Sequence, residues 1–516
     1  MKVALINPNI VSQIIDLSGT GIPYMPIALS YLAAFLREKK HDVTLIDAFG
    51  EAPALVRRVE DKMYQGLDAE ATVSRIPHNI EIILVYGHLA VTFLAQEQLI
   101  RKIRREFSAT PLGVLENINK VNAYSLLAVK NWYLDWGVDY LIPGYLEHRT
   151  GQLLHILEQG TQGRNALQSV PGLVFRQGDE FVENAGIEDD WRIDLNTLPF
   201  PAWDLLPLQN YWNIKCAHAP FTTDKYLPLL SSRGCPFSCR FCVSSGMTAN
   251  RRWNARSAAN VADEVEFFKN RFGASEFHFE DLNPGVDARR LETFCDELIG
   301  RDLSVQWKFA QGTKLETLDE PLIKKMAWAG CTYISISPES GSLRLLAAMN
   351  KKVDQGHARQ VVRWLKKYGI ISQGCFVIGL PEETDDDRCQ TLLVLLDLAR
   401  AGLDDPAIFI ITLMPGSELA EWSAEAMPSP ERCTFTPVWR EDYDHLARFR
   451  KYAYCRYLIV KLVYHPLSFI SYFVNFLSHR FETKVEMTLY RKAAVLWAYL
   501  KSTACSRKAV SLHKHR

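Results

Sequence analysis

Three cysteines, Cys235, Cys239 and Cys242, stand in the run Arg233-Gly-Cys-Pro-Phe-Ser-Cys-Arg-Phe-Cys, with an aromatic residue just before the third. Thiolates at C-x3-C-x2-C spacing on one short loop can hold three irons of a 4Fe–4S cluster and leave the fourth iron without a protein ligand. A reactant can bind at that open iron. Zinc is the alternative reading, although structural zinc wants four ligands, usually from two paired C-x2-C units. No second such pair occurs in the chain.

Such a loop needs rigid elements on either side. Residues 222–415 read as six repeats of strand then helix, with apolar strands at 227–231, 276–279, 305–310, 333–337, 372–378 and 407–412. Ser257 is placed to cap a helix over 258–272 with Gly273 beyond its end; Asp319 precedes Glu320-Pro321, and Gly330 closes that helix. In sheets built from such units, chemistry gathers at the carboxyl ends of the strands. The cysteine loop follows the first of these strands.

Residues 1–160 alternate apolar runs (3–7, 43–47, 80–86, 111–115, 140–143) with helical stretches at 26–39, 90–107 and 123–136. This alternation predicts a doubly wound parallel sheet, which takes ligands at its carboxyl edge near the reversal of strand order. Between the two units, residues 161–221 carry a hairpin signal around Gln177-Gly-Asp and a proline-punctuated stretch from Leu198 that excludes a regular helix.

The 516 residues, 48% apolar and 23% charged, suit two or three globular domains. The start, Met1-Lys-Val-Ala-Leu-Ile, reads as a buried strand rather than a signal peptide. Eleven cysteines without regular pairing fit a reducing cytoplasm, and the eight outside the loop read as buried small apolar residues. The net charge of zero conceals an asymmetry: residues 448–516 carry 14 Lys/Arg against two acids, and the rest of the chain is correspondingly acidic.

The cysteine loop resembles the cluster motif of the radical S-adenosylmethionine (SAM) enzymes. In that family the open iron chelates SAM, and reduction yields a 5′-deoxyadenosyl radical. Later strand ends extend the resemblance. Ser337-Pro-Glu-Ser-Gly-Ser is similar to the family's Gly-Ile-Glu-Ser-Gly-Ser, Gly374-Cys-Phe-Val-Ile-Gly-Leu-Pro to its fifth-strand glycine motif, and Met414-Pro-Gly-Ser-Glu-Leu to its sixth-strand turn. The resemblance implies that Glu280 and Asp281 meet the SAM ammonium group. It also places Glu339 and Ser340 on the methionine or ribose side and Gly379 near the adenine.

Gly21-Ile-Pro-Tyr-Met-Pro-Ile-Ala-Leu-Ser-Tyr-Leu, followed by His41-Asp-Val-Thr-Leu-Ile-Asp, resembles the cobalamin-binding domain that precedes many radical SAM domains. The family's Asp-x-His-x-x-Gly signature is absent, and its glycine-rich fourth-strand loop is here Gly113-Val-Leu-Glu-Asn. His88, just past a predicted strand end, is a candidate to face the corrin; the plainer reading is a loop histidine.

The resemblance therefore implies an α/β chain. A Rossmann-like cobalamin-binding domain (1–160) leads through a hairpin and proline-rich linker (161–221) to a partial (β/α)6 radical SAM barrel (222–415). A helical, basic and aromatic C-terminal region (416–516) follows. The expected activity is cobalamin-dependent methylation of an unactivated carbon in a small or lipid-like biosynthetic intermediate, with a 4Fe–4S cluster, SAM and cobalamin as cofactors. An electron donor such as flavodoxin or ferredoxin would drive it. Radical ring formation or rearrangement, or a non-catalytic cobalamin or iron–sulfur sensor, are the alternatives. Methylthio transfer to transfer RNA is disfavoured because no cysteine precedes Cys216. Residues 446–516, with thirteen aromatics, read as a helical cap laying its apolar stripe on the barrel; attachment to an anionic inner membrane face is the other reading. Lys461, His465 and Pro466 interrupt the apolar window, so spanning is not expected, and no motif points to nucleic acid.

Overall fold

The computed structural model describes residues 1–513 except 17, 18, 20, 88, 121, 122, 161, 162, 248–251 and 423–428. In the first half, β1 (Lys2–Asn7), β3 (Asp42–Asp47), β6 (Ile82–Gly87), β7 (Leu112–Glu116) and β8 (Tyr140–Ile142) form a parallel sheet. The hairpin β9 (Val174–Gln177) and β10 (Glu180–Glu183) adds to it antiparallel, giving the order β10-β9-β8-β7-β6-β1-β3. A smaller antiparallel sheet of β2 (Ile10–Gln13), β4 (Val56–Val59) and β5 (Lys62–Gln65) stands beside it. Every residue of β6 and β7 is buried, as a parallel sheet covered on both faces requires. The chain turns back at β1, so the switch in strand order falls between β1 and β6.

The second half is built on β11 (Tyr226–Leu229), β14 (Glu276–Phe279), β15 (Gln306–Thr313), β16 (Cys331–Glu339), β17 (Ile371–Ile378) and β18 (Asp405–Ile410). These six strands pair in parallel and in chain order, with β11 and β18 at the two edges. A short antiparallel pair, β12 (Ser232–Gly234) and β13 (Trp253–Ala255), flanks the cysteine loop. The caps read from sequence form: Ser257 accepts from the Asn260 N–H, Asp319 accepts from the Leu322 N–H, and Gly273 is left-handed at φ 67°.

Two expectations are corrected here. The helix read over 123–136 is confined to Lys130–Asp135, because the segment before it docks on the barrel instead: the Ser125 N–H donates to the Pro415 carbonyl at 3.0 Å. The cap expected of the C-terminal helices forms only in part: Leu446, Ala453 and Tyr457 of the Tyr443–Tyr464 helix join the core of the second sheet, whereas the apolar stripe of the Leu467–Ser478 helix stays exposed. The Tyr443–Tyr464 helix buries Tyr443, Leu446, Ala453, Tyr457 and Lys461 and leaves Ile459, Leu462 and Val463 exposed. The Lys461 ammonium donates to the Leu403 carbonyl at 2.8 Å and to Asp404 at 3.0 Å, adding a polar anchor to that packing.

Residues past this helix bind the two halves together. Phe481 and Met487 pack with Cys216, the Phe481 N–H donates to the Phe221 carbonyl, and the Lys484 N–H donates to Asp405 Oδ2 at 2.7 Å. The segment thus joins the chain entering β11 to the start of β18. The final helix, Lys484–His513, lays Val495 on Val56 and Met63, and Arg491 donates to Gln65 Oε1 at 2.7 Å. No single helix among the described residues is long and apolar enough to cross a membrane.

Candidate active site

Cys235, Cys239 and Cys242 line one cavity of about 230 Å³ at the carboxyl ends of the second sheet, with Phe237 and Phe241 from the same loop. Gly234, at φ 77°, turns the chain out of β12 into the loop, and the Cys242 N–H closes a turn on the Cys239 carbonyl. Burial pushes the Cys235 thiol up to about 12 and shifts Cys239 and Cys242 in the same direction. Uncoordinated thiols here are therefore neutral, and metal binding must release their protons. Among the described residues no three His, Cys, Asp or Glu side chains converge on a single ion. A cluster does not ask for that, since each thiolate binds its own iron.

The loop is held from two sides. Arg233 pairs with Glu147 of the first unit, and its guanidinium lies 4.9 Å from the Tyr145 ring centroid. On the other side the Asn350 amide donates to Ser238 Oγ at 2.7 Å, and the Arg240 N–H to the Met349 carbonyl at 3.1 Å.

The strand-end residues divide. Glu339 ends β16 in the left-handed region at φ 61°, where the pairing with β17 slips register. Its carboxylate lines the cavity and accepts from Lys351 Nζ at 2.8 Å, and Lys351 lines the same wall. Ser340 turns away: it is buried and shares a 3.0 Å hydrogen bond with Thr391. Gly379 also lies off the cavity lining. At φ 79° it makes a turn whose carbonyl accepts from Arg440 at 2.8 Å, and an added Cβ would meet Leu446 at 2.7 Å.

Glu280 and Asp281 do not line the cavity either, because protein groups hold both carboxylates. Asp281 accepts from the Ser231 N–H, from Ser231 Oγ at 2.7 Å and from Ser232 Oγ at 2.5 Å, which pins the chain entering β12. Glu280 pairs with Lys120 and lies 2.7 Å from His218 Nδ1. Burial opposes the Glu280 charge, but His218 and Lys120 beside it hold the carboxyl below the usual range, while burial pushes His218 down to about 3 and lowers Lys120 as well. We read the pair as carboxylate and ammonium beside a neutral imidazole.

The inner wall of the cavity was not legible beforehand. Ser335, Ser337 and Glu339 alternate along β16, and Gln373, Cys375 and Val377 along β17, as inward-facing residues of a strand must. That period could have found them. Gln311, His218 and Lys484 complete the wall. Gln311 is buried and donates to the Asn119 and Glu280 carbonyls, while its Oε1 has no partner among the described residues. Lys484 Nζ donates to the Ala310 carbonyl at 3.1 Å and has no carboxylate within 4 Å among the described residues. Asn283, Lys314 and Thr412 add further polar groups, and Phe409, Ile411, Met414 and Phe435 supply an apolar side. Of the other cysteines, Cys375 faces the cavity and Cys389 and Cys455 are exposed, against the expectation that they are buried.

The first sheet presents its own carboxyl edge. At the switch between β1 and β6, Asn7 is buried and its Oδ1 has no partner among the described residues. Asn9, Asn117 and Asn119 are buried along the same edge. Amide groups of this kind suit a ligand with an amide-rich periphery, which the corrin of cobalamin has. Gly113-Val-Leu-Glu, read as the altered loop, lies inside β7 instead; the loop that follows reaches the barrel through Lys120, and Glu116 accepts from the N–H groups of Leu126 and Gly144 at 2.9 Å each. His88 follows β6 directly and lies outside the described residues.

Residues 229–395 match the profile of the radical SAM superfamily. An uncharacterized methyltransferase of Pyrococcus horikoshii is 25% identical over 438 residues, covering 82% of this chain and 83% of the relative. The anaerobic magnesium-protoporphyrin IX monomethyl ester cyclase of Cereibacter sphaeroides is 25% identical over 473 residues, 90% of this chain and 67% of the relative. Among solved structures, the radical SAM methyltransferase TsrM from Kitasatospora setae, with cobalamin and a 4Fe–4S cluster bound, superposes at TM-score 0.62. It is 16% identical and covers 81% of this chain and 77% of its own. The cobalamin-dependent radical SAM enzyme OxsB, with aqua-cobalamin bound, gives TM-score 0.63 at 15% identity over 99% of this chain and 81% of its own. The fold is one these enzymes share, over 81% of this chain for TsrM and 99% for OxsB.

Proposed function

We propose that this member of the radical SAM superfamily is a cobalamin-dependent enzyme that methylates an unactivated carbon of an amphiphilic small molecule. One observation carries the reading: the three loop cysteines and Glu339 open onto a single cavity that also presents polar groups, Lys484 and His218 among them, and an apolar side of Phe409, Ile411 and Phe435. The methyltransferase names among its relatives and the fold shared with TsrM and OxsB support it. When bound, the cluster, SAM and cobalamin supply reductive cleavage of SAM and a transferable methyl group.

The chain's own residues would position these groups. Cys235, Cys239 and Cys242 would hold three irons, and Arg233 and Asn350 would fix the loop that carries them. Glu339, oriented by Lys351, would receive the ammonium of SAM. Asn7 would hydrogen-bond an amide of cobalamin at the switch point. Lys484 would meet an anionic end of the substrate while Phe409, Ile411 and Phe435 enclose its apolar body and exclude water. The reductant would be a small external donor of the flavodoxin or ferredoxin class.

Anaerobic reconstitution with iron, sulfide and hydroxocobalamin tests the proposal. The outcome it requires is retained cobalamin and a product heavier than its substrate by one methylene. Turnover at unchanged carbon count would favour ring formation or rearrangement. Bound cofactors with no SAM cleavage would favour a sensor.

A further inference from the structure

The most unusual surface of the molecule is the Leu467–Ser478 helix, which has no buried residue. Leu467, Ile470, Phe473, Val474 and Leu477 are spaced as one helical stripe, and each is more than half exposed; Phe473 is 67% exposed. The opposite side faces the protein through Tyr472, whose hydroxyl donates to the Asp404 carbonyl at 3.0 Å. The Tyr443–Tyr464 helix continues the pattern. Its charged Lys461 is buried and its Ile459, Leu462 and Val463 point outward. Trp497 and Leu500 of the last helix are exposed as well. Isolated exposed apolar residues are ordinary, but runs of this size on adjoining helices mark a surface that is covered in use.

The surrounding charge says what covers it. Lys451, Arg456, Arg480, Lys492 and Lys501 are exposed around these helices and form no ion pair among the described residues. The 14 Lys/Arg of residues 448–516 face only two acids within the segment. An apolar ridge with an unneutralised basic margin complements an anionic bilayer, whose headgroups meet the cations while the ridge enters the acyl boundary. The two helices meet at a bend of 110°, so the ridge is broken and cannot span as one straight segment. It is suited to lie in the interface plane.

We propose that the Tyr443–Tyr464 and Leu467–Ser478 helices dock the protein on an anionic membrane surface. The docking does not depend on the methylation reading. It places the enzyme where an amphiphilic substrate partitions.

Flotation of the full-length protein decides the matter, with vesicles of phosphatidylcholine alone or mixed equally with phosphatidylglycerol. The protein floats with the anionic vesicles and much less with the neutral ones. Raised salt weakens the binding. An Arg480→Glu, Lys492→Glu variant binds at least about tenfold more weakly, from roughly 1 kcal/mol for each basic residue at such a surface. An Ile470→Ser, Phe473→Ser, Leu477→Ser variant also loses binding; these side chains are exposed, so circular dichroism and iron content stay at native values. Equal flotation with both vesicles would overturn the proposal, and so would binding that neither variant weakens. A solution dimer that the triple variant dissociates, with no vesicle binding, would assign the ridge to a second copy of the chain and likewise overturn it.

Discussion

Arg233 and Glu147 form a two-point pair across the two halves of the molecule, Nη2 to Oε1 at 2.6 Å and Nη1 to Oε2 at 2.8 Å. Arg233 stands two residues before Cys235, and Glu147 lies in the first turn of the helix that follows β8. The first unit therefore fixes the position of the cysteine loop directly. Burial disfavours the Glu147 charge, but Arg233 more than compensates and holds the carboxyl low.

Removing one partner strands a buried charge, at a cost of about 3–5 kcal/mol. Glu147→Leu and Arg233→Met are each expected to lower the melting temperature and the iron retained after reconstitution. The double variant is expected to recover much of the melting temperature, since both charges are gone, but not the iron, since the loop has lost its anchor. Iron analysis and calorimetry on the three variants check this. A double variant no more stable than either single would contradict it.

Glu339 and Ser340 are neighbours with opposite fates, which separates them in a binding experiment. Glu339→Gln is expected to raise the Kd of SAM about tenfold or more, the loss of a hydrogen bond to a charged group. Ser340→Ala should leave it near the native value, because that hydroxyl serves Thr391. Equilibrium dialysis on the cluster-loaded protein measures both.

Lys484 reaches the cavity from the C-terminal region, more than 70 residues past β18. Lys484→Met keeps the aliphatic stem and removes the charge. The expected result is a KM for substrate raised about tenfold, with 5′-deoxyadenosine formation in the absence of substrate unchanged. Loss of both together would show that Lys484 serves the SAM side of the cavity instead.

Asp405 gives a pH signature. Burial pushes it up to about 7, against the hydrogen bond from Lys484 N–H. In the unfolded chain it titrates near 4. Between these values the folded state holds a proton that the unfolded state has lost, so the contribution of Asp405 to stability declines as pH rises through this window and levels off above it. The penalty is on the order of 4 kcal/mol at most. Asp405→Asn removes it, so the melting temperature of the variant relative to the native protein should rise between pH 5 and pH 8. A difference that does not change with pH would contradict the assignment.

The strands of both sheets were legible because each is a short apolar run bounded by polar turns, and the six of the second sheet lie within a few residues of where pattern places them. The cysteine loop was legible because its chemistry is local. Glu280 and Asp281 were not: their partners Lys120 and His218, and the Ser231–Ser232 turn, come from other parts of the chain, and nothing beside a strand-end acid announces that it is already occupied. The C-terminal helices were legible only in part, for a different reason. An amphipathic composition is the same whether an apolar stripe turns inward or outward: Leu446, Ala453 and Tyr457 turn into the barrel core beside Lys461, which reads as an interruption but pairs with Asp404, while the next helix turns its stripe outward. Lys484 could be found only once the fold had returned the chain to β18.

The central claim, that the cysteine loop is a SAM-cleaving centre, is tested most directly by 5′-deoxyadenosine formation from SAM under reducing, anaerobic conditions. Native protein and the three single variants Cys235→Ala, Cys239→Ala and Cys242→Ala are compared, with Cys375→Ala as the control from the opposite wall. The account predicts that the native protein and Cys375→Ala cleave SAM, while each loop variant loses both the cluster's absorbance and SAM cleavage. Cleavage that survives in any loop variant, or a native protein that binds the cluster and does not cleave SAM, would contradict it.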